Sequence, residues 1–404
     1  MKTALYLLFV FHVLFALSLG CQQEDVAETS YLDIEGIPSP AGPMSGQPNL
    51  FAAEDDEIYL SWIESNEEQH ALRFATWETG HWTEPQTIAE GNNWFVNWAD
   101  FPSMVATSNG RLAAHWLAKS GQGTYAYDVN ISRSFDGGKT WSQPIVPHTD
   151  GTETEHGFVS MLPWSNERLL LVWLDGRNFA STGADGHSAP TKEMQLRCAS
   201  LDSDGNVHDE TILDARVCEC CQTSATLTAE GALVAYRDRS ETEVRDIGIV
   251  RWQNGTWSEP RILYSDNWEI HGCPVNGPSV DAVGSTVAVA WFTAPNDSPQ
   301  VNIAFSHDSG STFGKPIQLN ERETVGRVDV VLLEDGSALV SWMETTKSGG
   351  EIRVCRIRPD GPKDWMTTLA EVSTGRASGF PQMARSGHRI FFAWTQVGEP
   401  STVR

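Results

Sequence analysis

One phrase recurs along this chain: a short apolar stretch, an aromatic residue, then an acidic or polar turn. It reads Leu60-Ser61-Trp62-Ile63-Glu64, Ala114-His115-Trp116-Leu117 and Leu171-Val172-Trp173-Leu174-Asp175 in the first half. It returns as Val234-Ala235-Tyr236-Arg237-Asp238, Val289-Ala290-Trp291-Phe292, Val340-Ser341-Trp342-Met343-Glu344 and Phe392-Ala393-Trp394-Thr395. Successive aromatic positions lie 54, 57, 63, 55, 51 and 52 residues apart. A β-rich unit of that size cannot bury its apolar face alone, so copies must stack, as in a propeller or related array. Stretches such as Asp128-Val129-Asn130-Ile131-Ser132 and Val301-Asn302-Ile303-Ala304-Phe305 follow the phrase and alternate apolar with polar residues. Half-buried strands read this way. We expect an all-β fold, a single propeller over residues 46–404 made of four-stranded blades. Seven copies of the phrase favour seven blades. The last unit stops after its second strand, so a strand near Thr29–Ile34 is expected to close the ring, because an open edge invites association.

A second motif appears twice. Ser134-Phe135-Asp136-Gly137-Gly138-Lys139-Thr140-Trp141 and Ser306-His307-Asp308-Ser309-Gly310-Ser311-Thr312-Phe313 share Ser-x-Asp-x-Gly-x-Thr-aromatic. Ser and Asp can bond the backbone of a tight turn, Gly accepts positive φ, and the aromatic packs beneath. The structural residues are Ser134, Asp136, Gly138 and Trp141, then Ser306, Asp308, Gly310 and Phe313. The motif resembles the Asp-box, or BNR repeat, of sialidases and related propellers. That resemblance implies a turn between the third and fourth strands of a blade, with six blades as the alternative to seven. It also implies carbohydrate recognition or glycoside hydrolysis, with a sialic-acid-like glycoside favoured. In sialidases three arginines hold the substrate carboxylate, a Tyr–Glu pair supplies the nucleophile and an Asp is the acid/base. Their first blade carries an aromatic-Arg-Ile-Pro motif; here that place reads Ser45-Gly46-Gln47-Pro48-Asn49.

The N-terminus reads as an export signal. Lys2 precedes an apolar run from Ala4 to Gly20, and Cys21 follows. A charged start before a short apolar core is the pattern of a signal peptide over residues 1–20. The small residue before Cys21 resembles a bacterial lipobox, which makes Cys21 the lipidated residue and residues 21–45 a polar tether. An acyl chain would hold the body at a cell envelope without inserting it. The formal net charge is −25. Nucleic acid requires a basic footprint, so it is excluded as a partner, and the membrane is reached only through the anchor. A monomer is expected.

Topology narrows the search for chemistry. The starts of the innermost strands and the loops between second and third strands share one face. The acids there are Asp100, Glu155 and Asp175, with His156 beside Glu155; each is a candidate acid or base if burial raises a pKa. The arginines are Arg177, Arg237, Arg239, Arg327 and Arg376, a local reversal of sign. A guanidinium suits bidentate capture of a carboxylate, although Asp175 with Arg177, and Asp238 with its two neighbours, can equally pair among themselves. Trp94 and Trp98 lie outside the phrase and can line a sugar platform.

The same face gathers Cys218, Cys220, Cys221, Cys273 and His271. Export implies an oxidising compartment, where a bridge such as Cys218–Cys273 or Cys220–Cys273 is the default. The open alternative is a thiolate/imidazole site for copper or zinc; otherwise no cofactor is expected. Cys198 and Cys355 alternate into strands and read as core. Two rival functions remain: a binding or scaffold propeller without catalysis, and a metal-handling surface protein.

Overall fold

The computed structural model describes residues 33–66, 68–107, 110–164, 167–180 and 192–404. The signal peptide expected over residues 1–20 and the lipidation expected at Cys21 fall outside them. Residues Pro38–Arg404 form one compact unit.

The larger unit is an all-β propeller with six blades, not the seven favoured from the phrase count. Blade one uses Ser45–Ala52, Ile58–Ser65 and His70–Glu78, with Gln86–Gly91 outermost. Blade two has three strands, Ser103–Thr107, Arg111–Lys119 and Tyr127–Ser134. Blade three begins with His156–Pro163, blade four with Ser224–Thr228, blade five with Ser279–Val283 and blade six with Thr324–Leu332. Every neighbouring pair within a blade is antiparallel.

The seventh phrase builds only a two-stranded hairpin, Gln382–Ser386 with Arg389–Ala393. After Ala393 the chain does not enter a third strand. Gly398 and Pro400 interrupt it, and Thr395–Gln396 pairs with Thr402–Val403 in a separate short ladder. The hairpin stands between blades six and one: Met383 N donates to Asp329 Oδ2 at 2.6 Å, and Asn49 Nδ2 donates to Gln382 Oε1 at 3.4 Å. The expected closing strand at Thr29–Ile34 is not seen. Residues 29–32 lie outside the described chain, and Asp33 and Ile34 belong to no strand. Blade one instead meets the last residues, where Val403 N donates to Ser45 Oγ at 2.9 Å.

The recurring phrase has a physical reason. Trp62, Trp173, Trp291 and Trp342 are fully buried. A buried indole N–H must find an acceptor, and residue i+2 in a strand lies on the same face. Trp62 accordingly donates to Glu64 at 2.9 Å, Trp173 to Asp175 at 2.9 Å and Trp342 to Glu344 at 3.0 Å. Blade five has no acid at that place, and Trp291 donates to Asp266 at 2.7 Å from a neighbouring loop. Burying each ring stabilises the fold by roughly 1.5–3 kcal/mol.

The two Ser-x-Asp-x-Gly turns share one hydrogen-bond pattern. Gly138 N donates to Ser134 Oγ at 2.8 Å and Thr140 N to Asp136 Oδ1 at 2.9 Å; Gly310 and Thr312 repeat this at 2.9 and 2.8 Å. Gly138 has φ +86° and sits where a Cβ would meet Phe74 of blade one at 2.3 Å. The turn is therefore both a local device and a seam between blades. Trp141 adds an edge contact to Phe74, ring centroids 6.0 Å apart.

The inner strands surround a central cavity of about 570 Å³. The loops leading into them carry Asp100, Glu155 and the cysteines Cys218, Cys220 and Cys221.

Candidate functional site

The loop before blade two, the start of that blade's third strand and the loop before blade three bring three groups together. The Tyr127 hydroxyl lies 2.7 Å from Glu155 Oε1 and 2.9 Å from Asp100 Oδ2. Asp100 Oδ1 accepts the Phe158 N–H at 2.7 Å. Asn97 Oδ1 ties the approaching turn by accepting Ala99 N at 2.8 Å. Phe95 stacks on the Tyr127 ring with centroids 4.1 Å apart. Tyr127 and Asp100 are buried, and Glu155 is half-buried.

A phenol carries one proton and cannot donate to two carboxylates. The trio is therefore satisfied only when one carboxyl is protonated, so that it donates to the phenol while the phenol donates onward. The electrostatics agree. Burial pushes Asp100 up to about 7, against the pull of its Phe158 and Tyr127 hydrogen bonds. Burial likewise pushes Glu155 up to about 8, with Asp100 and Glu219 adding repulsion. Burial, then the two carboxylates, hold the Tyr127 hydroxyl well above its ordinary range. Asp100, Tyr127 and Glu155 form a proton-sharing chain whose wetter end is Glu155.

Behind it lies a buried ionic cluster. His156 is fully buried and stacks on His148, ring centroids 3.8 Å apart. Its Nδ1 stands 3.5 Å from Asp128 Oδ1, and its Nε2 stands 3.2 Å from Asp150 Oδ1 and 3.7 Å from Asp175 Oδ1. Burial opposes the charged ring, but the surrounding carboxylates win and raise its pKa to about 9. His148 and His156 in turn hold Asp150 well below the usual range in spite of burial. Asp175 is fully buried and grips Arg177 in a fork, Nε to Oδ1 and Nη2 to Oδ2, both 2.7 Å. Arg177 continues to Glu210 at 2.9 Å, which Arg197 also holds at 2.9 Å. Asp175 and His156 are thus ion-paired scaffold behind the trio.

The five arginines do not meet at one point. Arg237 is buried and donates to the main-chain oxygens of Asn276, Arg245 and Phe292 at 2.6–2.8 Å. Arg327 is caged by the carbonyls of Thr374, Gly375 and Gly379 at 3.0–3.1 Å, its guanidinium 4.9 Å from the Trp98 ring centroid. Trp98 also stacks on Phe380 with centroids 5.9 Å apart. Trp94 is buried against Trp116, centroids 5.5 Å apart. Arg239 pairs with Glu243 at 2.7 Å. Arg376 is exposed and carries no ion pair among the described residues.

The cysteines of this face are near one another but unbridged. All six described cysteines are free, so the bridges expected at Cys218–Cys273 or Cys220–Cys273 are not formed. Cys218 Sγ lies 3.8 Å from Cys220 Sγ and 3.5 Å from Cys221 Sγ. His271 does not join them; it is exposed, with Nε2 3.3 Å from Glu269 Oε1. Cys198 and Cys355 are buried in blade cores.

Tyr127, Asp128, His148 and Asp150 were not singled out in the sequence. The dense run His148, Asp150, Glu153, Glu155 and His156 in a loop entering an inner strand was the available signal. Tyr127 had none: it begins an ordinary alternating strand.

No protein-family model matches the chain, and no curated protein matches it. Solved structures do. The crystal structure of polysaccharide lyase Uly1 aligns with TM-score 0.54 at 8% identity, over 89% of this chain and 88% of that one. The K499G mutant of NanB sialidase from Streptococcus pneumoniae aligns with TM-score 0.50 at 10% identity, over 89% and 92%. The chain shares their β-propeller fold. At such identity the likeness concerns architecture alone, because one fold hosts many functions.

Proposed function

We propose that this protein binds an anionic glycan on the face where the inner strands begin, and that Asp100, Tyr127 and Glu155 transfer a proton to it. The observation that carries this reading is the Tyr127 hydroxyl within hydrogen-bond distance of both Asp100 and Glu155. Glycoside hydrolysis and polysaccharide elimination differ in how the sugar is attacked, but both require a proton for the departing oxygen. Glu155, half-buried and held protonated near neutrality, is suited to give it. Tyr127 meanwhile keeps its own proton on the ionised Asp100, and Glu155, at the wetter end of the chain, regains its proton from solvent. A general acid positioned this way typically contributes about 10²–10⁴ in rate. The fold's occurrence in a sialidase and a polysaccharide lyase supports the glycan class. Exposed Arg376 supplies a cation for its charge, and an anchor at Cys21 would hold the protein at the cell envelope.

A specific observation favours a second reading. Tyr127 is 1% and Asp100 3% exposed. If the loops over them stay closed, the trio only braces blades two and three, and the protein is a binding propeller. Purified protein mixed with sialosides and with uronic-acid polysaccharides separates these. Proton transfer predicts released reducing ends or unsaturated products, abolished in Glu155→Gln. Binding without turnover leaves the binding propeller, and neither across the panel removes the glycan assignment.

A further inference from the structure

The thiols before blade four have no role in that reading, and ion pairing does not account for them. Cys218 and Cys221 are 1% and 2% exposed, Cys220 is half-buried, and the three sulfurs lie within 4.8 Å of one another. A disulfide requires sulfurs about 2.05 Å apart. A tetrahedral ion with metal–sulfur bonds of about 2.3 Å instead holds its ligands about 3.8 Å apart. The observed separations of 3.5 and 3.8 Å match that edge. Cys273, exposed on the loop before blade five, is the neighbouring thiol on the Cys220 side but lies outside the set of three sulfurs that share the 4.8 Å span.

The surroundings fit thiolates. Arg245 is buried, and its Nη1 donates to Cys218 Sγ at 3.1 Å. A neighbouring guanidinium stabilises a thiolate, and a hydrogen bond to a ligand sulfur is the usual outer support of a thiolate metal centre. Arg245 also pairs with Glu243 at 2.8 Å and Glu219 at 3.2 Å, so a metal ion is needed to offset the charge of clustered thiolates here. Buried thiols that serve only as core need no such cation; Cys198 and Cys355 have none within hydrogen-bond reach.

We propose that Cys218, Cys220 and Cys221, closed by Cys273, form a site for one thiophilic metal ion, zinc(II) or copper(I). The ion joins the loops entering blades four and five. Cys-x-Cys-Cys supplies three ligands from one loop, and the fourth arrives from the adjacent blade, so metal binding and packing of the two loops are linked. His271, exposed and turned to Glu269, is not a ligand.

The test uses the whole exported protein and is independent of any glycan. Metal is counted by elemental analysis, and thiols are counted before and after denaturation with chelator. Metal-free protein is titrated with zinc(II), and anaerobically with copper(I) against a chromogenic chelator, which distinguishes the two ions. The expected result is one ion per chain, with the four thiols reactive only after its removal. Cobalt(II) in its place should show sulfur-to-metal charge-transfer absorption. Cys273→Ser, at an exposed position, should fold and bind at least ten-fold more weakly, whereas Cys355→Ser should retain full stoichiometry. The proposal is overturned if neither ion binds, if Cys273→Ser binds as tightly as the parent, or if mass analysis finds a disulfide among these four cysteines.

Discussion

The main chain at Gly157 passes so close to Asp100 that a Cβ there would stand 2.1 Å from the carboxylate Oδ2. The same Cβ would lie 2.9 Å from the Tyr127 ring. Glycine is required because the inner strand of blade three and the loop before blade two converge on one carboxyl. Gly157→Ala should therefore destabilise the protein by about 1–3 kcal/mol through overpacking. Denaturant unfolding would show this as a lower midpoint with unchanged slope, and an unchanged midpoint would mean that the loop can simply move aside.

The shared proton makes stability depend on pH in a definite direction. Asp100 rises from 3.8 to about 7 on folding, and Glu155 from 4.5 to about 8. Between those values the folded protein holds protons that the unfolded chain has released, so stability falls as pH rises through the window. His156, raised from 6.5 to about 9, acts in the same sense: its contribution is full below 6.5 and lost as pH climbs through 9. The melting temperature should fall between about pH 5 and pH 9. Asp100→Asn together with Glu155→Gln should flatten the slope. A melting temperature that rises with pH would contradict the trio's protonation.

Asp175 separates scaffold from chemistry. It holds Arg177 through two bonds of 2.7 Å and faces the charged His156 ring. Removing its charge breaks the Arg177 fork in a buried site and leaves Asp150, Asp128 and Glu210 to offset both cations. Asp175→Asn should cost about 3–5 kcal/mol, measured by unfolding, whereas a residue acting only in catalysis would leave stability intact.

Arg376 and Arg237 should behave oppositely. Arg376 is exposed and unpaired among the described residues, so Arg376→Ala should alter stability by no more than about 0.5 kcal/mol while weakening binding of an acidic oligosaccharide. Arg237 is buried on three carbonyls. Arg237→Ala should lower the melting temperature sharply, because three acceptors lose their donor at once. Calorimetric titration and thermal unfolding of the two variants read both effects.

The architecture was legible in the sequence because its cause is local. Trp62, Trp173 and Trp342 each place an indole two residues from the acid that satisfies it, so the phrase is written in one strand. The number of blades was less legible: Phe392-Ala393-Trp394 reads like the other copies, and only the pairing of Thr395–Gln396 with Thr402–Val403 shows that no third strand follows. The face carrying the acids, arginines and cysteines followed from topology, and Asp100 and Glu155 do meet there. Tyr127, which joins them, gave no local signal, since its partners lie 27 and 28 residues away. The arginines misled for a related reason. Sequence reports that a guanidinium is near a face, but whether it meets a ligand, an acid or a cage of carbonyls depends on loops from other blades, as for Arg327.

In the proposed reaction Glu155 delivers the trio's proton to an anionic glycan. Its most direct test is turnover of sialosides and uronic-acid polysaccharides by the parent protein and by Glu155→Gln, both confirmed folded. Proton delivery by Glu155 predicts measurable turnover by the parent and a loss of about 10²–10⁴ in kcat for the variant. A variant that keeps the parent's rate, or a parent that processes none of these glycans, would contradict it.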